Sequence, residues 1–352
     1  MLLLGGCDVA KPDPPSATGP AVHLVGAFPS DGCGVGSDPD CTIATNATLT
    51  FRFDRFLNPA TVSRQAIRVY TGDPKTAAGP PPFEVAYDPV ERVVEYRMPS
   101  GYGFAPHTLY TLELVVPEAA DDFGIRAFDD APLAESDLPL HTSFFTGDGP
   151  GDVPAVSAPT CSQIVRGVFA NNCTGSQCHQ RIGHAFKDQG KNVDLGAAPY
   201  GLWLDSPANI LATAIGKVAH ETELGDRSGG APEVKGARFG VRMALVDPRN
   251  PGGSYLLFKL LLGSDNYCPV WSDSGECIGV AASTHAFLPL PKGHSVRPDQ
   301  AELDRLREWF VRGEPMPRAL ADGTQRRLTL DELRAVSTFI AGGADCEPPP
   351  QP

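Results

Sequence analysis

The sequence has no run of about eighteen apolar residues, so no transmembrane helix is expected. Basic residues are few: 29 Lys and Arg stand against 42 Asp and Glu, a formal charge of −13. A nucleic-acid partner needs a basic surface to neutralise phosphate, and this balance argues against one. Methionine is rare, with four in 352 residues, which leaves few thioethers for a metal. Glycine and proline, 37 and 35 residues, make a loop-rich chain, still below the share of roughly 25–30% expected of a disordered polymer. Hydrophobic content of 41% is enough for packed cores, and the length admits two domains of roughly 100–200 residues each.

Cysteine, by contrast, is plentiful. Nine of them is a high number for a cytosolic protein of this size and suggests an oxidising compartment. The odd total leaves one without an intramolecular partner, and Cys7 is the candidate. Leu2 to Leu4 is too short for a full signal h-region of roughly 7–15 residues. Yet Leu4-Gly5-Gly6-Cys7 resembles the lipobox of bacterial lipoproteins, which implies that Cys7 is diacylated. A start placed downstream of a fuller signal peptide would account for the short apolar stretch. A Pro/Ser/Thr-rich stretch, Lys11 to Pro20, reads as the tether between anchor and first domain. The alternative is an incidental cysteine.

From residue 21 to 147 alternation dominates. Thr48 to Asp54, Val93 to Arg97 and Tyr110 to Val115 alternate polar and apolar at period two. Turn clusters separate them: Ser30-Asp31-Gly32, Asn58-Pro59, Tyr87-Asp88-Pro89 and Asp121 to Gly124. Short strands at this spacing predict a β-sandwich. Asp side chains in the turns offer oxygens to Ca²⁺, but turn chemistry explains them more simply.

The order of the pieces resembles the bacterial Ig-like domain of surface-layer and other envelope proteins. The carrying segments are Phe28-Pro29-Ser30-Asp31-Gly32, Phe53 to Val62, Tyr87-Asp88, Tyr110-Thr111-Leu112, Asp122-Phe123-Gly124 and Phe144-Phe145-Thr146. Such domains act mostly as spacers or interaction modules. Cys33 and Cys41, in the first loop, depart from the family pattern and are best read as a local disulfide.

A Gly/Pro/Ala-rich linker, residues 148–159, leads to a second domain at 160–346, with a short tail at 347–352. Ile164, Val165, Val168 and Phe169 form one face of a helix starting at Cys161; Leu303, Leu306, Trp309 and Phe310 do so in Gln300 to Val311. Leu333, Val336 and Ile340 mark a last helix ended by Gly342-Gly343. The aromatic residues on these faces, Trp309 included, read as core.

Between these helices lies Cys173-Thr174-Gly175-Ser176-Gln177-Cys178-His179. A c-type haem needs two thiols for thioether bonds and an adjacent histidine for iron, usually as C-x-x-C-H. The four-residue gap here is a less common variant. The motif alone leaves three readings open: haem attachment, a Cys173–Cys178 disulfide beside an idle histidine, or zinc, which would lack paired ligands because His184 stands alone.

This half resembles a family of bacterial envelope cytochrome c-like domains. The resemblance runs through the CxxxxCH motif, Val193-Asp194-Leu195, Pro248 to Leu260 with Ser254-Tyr255, Met316-Pro317 and Leu328 to Ala344. It implies a mainly α-helical domain holding one haem c through Cys173 and Cys178, with His179 on the iron. Met1 and Met98 lie outside the domain and Met243 reads as strand or core. Met316, in the loop where the family has its ligand, is the expected sixth ligand, with Met243, an open position, or His220, His285 or His294 as alternatives. Two features depart from the family: the insertion Glu221 to Gly240, and a near-duplicate of the ending, Leu288-Pro289-Leu290-Pro291 followed by the Glu302 to Phe310 helix, in which Leu stands where the ligand Met would.

With Cys7 set aside for lipid and Cys173 with Cys178 for haem, six cysteines remain. Local loops favour Cys33–Cys41 and Cys268–Cys277, and Cys161–Cys346 then joins the two ends of the second domain. The expected architecture is multidomain β + α, an Ig-like β-sandwich followed by a cytochrome c-like domain. The expected function is electron transfer by a lipid-anchored envelope protein, periplasmic or surface-facing, with an unidentified redox partner protein. An alternative is a structural or adhesive envelope lipoprotein whose second domain no longer binds haem. An enzyme with an open sixth position is a third reading, though no distal acid/base pair is recognisable.

Overall fold

The computed structural model describes residues 19–33, 41–72, 81–117, 123–134, 136, 138–152, 157–174, 185–188, 191–194, 201–219, 243–262, 288, 300–309, 318–319, 325–326 and 328–346. Seven strands build its first part: β1 Leu24–Phe28, β2 Leu49–Phe53, β3 Ile67–Tyr70, β4 Glu84–Asp88, β5 Val93–Arg97, β6 Leu109–Leu114 and β7 His141–Phe145. All pair antiparallel, in a four-stranded sheet β1-β2-β5-β4 and a three-stranded sheet β3-β6-β7. Lettered in chain order, these are the ABED and CFG sheets of the immunoglobulin constant-type topology.

Aromatic rings join the sheets. Tyr96 of β5 meets Phe51 of β2 and Phe83 edge-on, with ring centroids 5.9 and 5.8 Å apart. Phe83 leads to Phe104, and Phe104 to Phe144 of β7 and Tyr110 of β6. Edge-to-face contacts of this kind add to the area term by about 0.5–1.5 kcal/mol each. A disulfide joins Cys33 to Cys41, with Cα atoms 5.0 Å apart.

The two sheets differ in what covers their outer faces. On β3, Ile67 and Val69 are buried, Arg68 is exposed and Tyr70 is half-buried, the pattern of a sheet with one wet face. On β2 all five residues are buried, Thr50 and Arg52 included. The alternation Leu49-Thr50-Phe51-Arg52-Phe53 still gives one apolar face to the sandwich core. Its other face lies beneath the C-terminal half of the chain, making a third layer.

That third layer holds α1 Cys161–Ile164, α2 Pro207–Thr213, α3 Tyr255–Leu262, α4 Gln300–Trp309 and α5 Leu330–Ala341. Two short hairpins accompany them, β8 Ala185–Asp188 with β9 Lys191–Asp194, and β10 Arg318–Ala319 with β11 Gln325–Arg326. The described residues therefore give a β-rich unit whose two main sheets hold seven strands, with a few helices and the two hairpins beside them. Capping boxes start α1 (Thr160 with Gln163) and α5 (Thr329 with Glu332), each satisfying two backbone donors. Seven of the eight residues of α3 are buried, so it is a core helix rather than an amphipathic one. No helix among the described residues is long and apolar enough to cross a membrane.

The segment 148–159 does not stand clear of the β-unit throughout. Gly149 O accepts from Thr45 N–H at 3.0 Å, and Asn46 bonds Gly151 through both its side-chain oxygen and nitrogen.

Candidate functional site

Of the CxxxxCH motif, Cys173 lies among the described residues; Cys178 and His179 lie outside them. The helix beginning at Cys161 changes character after Ile164, and Val165–Thr174 continues as a wider π-type helix. Its hydrogen bonds reach five residues back, so each turn takes more than the 3.6 residues of an α-helix. The buried positions are Ile164, Val165, Val168, Phe169 and Cys173, and the pairs Ile164/Phe169 and Val168/Cys173, each five apart, match the wider turn. Cys173 is thereby carried round to the buried apolar face, with 3% of its surface exposed.

The start of this segment is held covalently. Cys161 is bonded to Cys346, just past α5, with Cα atoms 5.1 Å apart. This pair spans 185 residues and joins the first helix to the last. α5 packs against both α1 and the π-type segment. Gly342 lies so close to Ala158 that an added Cβ would meet the Ala158 methyl at 2.5 Å.

Buried ion pairs between residues far apart in sequence hold these helices to the sheet. Arg52, on β2, is 2% exposed and donates from Nη2 to Glu91 Oε2 at 3.1 Å and to Leu288 O at 3.3 Å. Burial lowers the affinity of Arg52 for its proton, and Glu91 works against that. The other oxygen of Glu91 accepts from Arg334 of α5, Nη2 at 2.9 Å and Nε at 3.0 Å.

A second cluster fastens α4. Arg55 Nε donates to Glu302 Oε2 at 3.0 Å, Arg55 Nη2 donates to Asp129 Oδ2 at 2.8 Å, and Arg55 also bonds Pro20 O. Glu302 Oε1 accepts from the Phe56 backbone N–H at 3.0 Å, and Arg305 adds a bond to Oε2 at 3.3 Å. Burial works against the Arg55 charge, yet Asp129 and Glu302 hold its guanidinium above its ordinary value. Burial pushes the Glu302 carboxyl above the usual range, against the pull of Arg55 and the Phe56 N–H.

Two further sequence features have a place in this interface. Leu288, the first residue of the Leu288-Pro289-Leu290-Pro291 stretch in the near-duplicate ending, is 1% exposed and packs against Gly26 of β1. The turn Pro251–Gly253 before α3 presses on Tyr87 of β4, where a Cβ at Gly252 would fall 2.5 Å from Tyr87 Cδ1. Ser254, in the family-like Pro248 to Leu260 stretch, closes that turn. It accepts from Asp247 N–H at 2.9 Å and donates to Asn250 O at 3.0 Å.

Met243 is buried, and its carbonyl accepts from Ala219 N–H at 2.8 Å. Met316, Cys7, Cys268, Cys277, His220, His285 and His294 lie outside the described residues, as do Phe310 and the side chain of Trp309. Among the described residues no group of three His, Cys, Asp or Glu is arranged to hold a metal ion.

No family model and no curated protein matches the sequence. Among solved structures, an L,D-transpeptidase from Mycobacterium smegmatis aligns at 14% identity over 36% of this chain and 41% of its own, with a TM-score of 0.22. The N-terminal part of the bacterial S-layer protein SbsC aligns at 11% identity over 39% of this chain and 25% of its own, with a TM-score of 0.23. The S-layer protein rSbsC(31-844) aligns at 10% identity over 41% of this chain and 17% of its own, with a TM-score of 0.24. The chain thus spans less than half the length of each of these structures.

Proposed function

We propose that this chain is a cell-envelope protein carrying one covalently attached c-type haem and passing electrons to a partner protein. Cys173 and Cys178 would form the thioether bonds, His179 would bind iron, and Met316 is the sixth ligand favoured by the sequence. The observation that carries the reading is the burial of Cys173 on the same apolar face as Ile164, Val168 and Phe169. A thiol that attaches a porphyrin must open onto such a face, because the ring is largely apolar. Two thiols and an adjacent imidazole are also the donor set that haem attachment and ligation require.

When bound, such a haem supplies one-electron chemistry at iron. This chain's own residues would exclude water and hold the ring in place. A thioether from Met316 would raise the reduction potential relative to a second imidazole. The envelope location is supported by the Cys33–Cys41 and Cys161–Cys346 disulfides, which persist in oxidising compartments. Lipidation of Cys7 would tether the chain to a membrane surface. The β-unit, with the strand order of an Ig-like sandwich, would act as the spacer and platform.

The test is the visible spectrum of the protein purified from a host that matures c-type cytochromes. A reduced α-band of c-type haem, retained after denaturation, is expected. A colourless protein would leave the structural or adhesive reading. Carbon monoxide binding to the reduced form would show an open sixth position and point to catalysis.

A further inference from the structure

We propose that Glu91 is a positioning residue for the Cys173 segment and acts on it through α5. Glu91 lies in the turn between β4 and β5 and is fully buried. Its two oxygens face different elements, Oε2 toward Arg52 on β2 and Oε1 toward Arg334 on α5. One residue type, in one turn, therefore ties a central strand to the last helix. A neighbouring bond repeats the tie, with Ser337 Oγ donating to Asp88 Oδ1 at 2.9 Å. Arg334 and Ser337 are three residues apart and share one face of α5, and that face is the one the turn grips.

The far end of α5 leads to Cys346 and its bond with Cys161. From there α1 and the π-type segment run to Cys173, packed along α5. The route from turn to thiol is thus contiguous: Glu91, Arg334, α5, the disulfide, α1, Cys173. A carboxylate so placed needs both cations, because a buried charge stripped of its partners is costly. With the Glu91 anchor removed, α5 keeps its disulfide but loses its register on the sheet, and the Cys173 segment moves with it. The inference rests on the haem reading only for its spectroscopic consequence.

The experiment uses the full-length chain as purified, with Glu91→Gln, Arg334→Gln, the double variant and Glu113→Gln. The last breaks an exposed ion pair with Arg68 and serves as control. Amide exchange should accelerate by at least about tenfold in Leu330–Ala341 and Cys161–Thr174 in the first three variants, with β3, β6 and β7 changed by less than about twofold. The double variant should go no further than Glu91→Gln alone, since Glu91 is the partner that Arg334 loses in both. In haem-loaded protein, at a temperature where all variants are folded, the iron ligand-field bands and reduction potential should shift in the same three and not in the control. Equal acceleration in every element, or none in Cys161–Thr174, would overturn the proposal, as would an unmoved spectrum beside an intact haem. If Glu91→Gln does not fold, Arg334→Gln decides, since its side chain is 14% exposed and tolerates replacement better. A chain that proves to carry no haem removes the functional reading and leaves the exchange measurement to decide this one.

Discussion

Arg55 and Glu302 meet at 3.0 Å across 247 residues of sequence. Neither is more than 4% exposed in its side chain, so the pair lies inside the protein and joins the end of β2 to α4. Removing one partner from such a pair leaves the other buried and uncompensated. Glu302→Ala and Arg55→Ala should each cost about 3–5 kcal/mol of stability. Glu302→Gln, which keeps an acceptor for the Phe56 N–H, should cost less. Breaking the exposed Arg68–Glu113 pair should cost under about 1 kcal/mol. Urea denaturation of the purified variants measures all four. A cost for Glu302→Ala as small as the exposed control's would mean that α4 is not anchored by this carboxylate.

Glu302 also gives the protein a pH signature. Burial raises its carboxyl in the folded state, so the folded chain holds that proton more tightly than the unfolded chain does. The contribution is fully present below the unfolded value of about 4.3 and is lost as pH rises through the folded value. The stability of the wild type relative to Glu302→Gln should therefore decline as pH rises through the folded value and level off above it. Urea unfolding at a series of pH values reads this difference. A difference that grows with pH would put the folded carboxyl below its ordinary range, with Arg55 outweighing burial.

Gly252 tests the contact between the turn before α3 and the sheet. A Cβ there would lie 2.5 Å from Tyr87 Cδ1 and 2.8 Å from Tyr87 Cβ. Tyr87 cannot easily yield, because it is buried and its hydroxyl accepts from Leu57 N–H at 2.9 Å. Gly252→Ala should destabilise by about 1–3 kcal/mol, as overpacking does. Thermal unfolding at constant pH would show it as a lowered midpoint.

The Cys161–Cys346 disulfide should matter more than Cys33–Cys41. It closes a loop of 185 residues, against 8 for the other. On the chain-entropy model the long loop contributes about 5 kcal/mol. Cys161→Ser with Cys346→Ser should lower the unfolding midpoint well below that of Cys33→Ser with Cys41→Ser. Equal losses would mean that the ends of the helical layer are held without the bond.

The sequence made the sandwich legible for a physical reason. Leu49, Phe51 and Phe53 alternate with polar residues, and one buried face is all that period two requires. The same alternation hid the third layer. Arg52 reads as a solvated outward residue, since a charge at such a position looks the same whether water or Glu91 covers it. Arg55, Glu91 and Glu302 carried no signal for the same reason, because their partners are far apart in sequence. The Cys33–Cys41 bond is legible from its short loop, and Cys161–Cys346 only as the pair left once the other cysteines are assigned; Cys268–Cys277 lies outside the described residues. The helix from Cys161 is legible in its apolar face, but not its widening after Ile164, since the pairs Ile164/Val168 and Val165/Phe169 are four apart and fit both helical forms.

A covalently attached haem stays with the polypeptide when it unfolds, so intact-protein mass after denaturation detects it. The chain expressed with c-type maturation should weigh one haem more than its Cys173→Ser, Cys178→Ser variant made in the same host, and the increment should survive unfolding. A wild-type mass equal to that of the polypeptide with its disulfides would contradict the account.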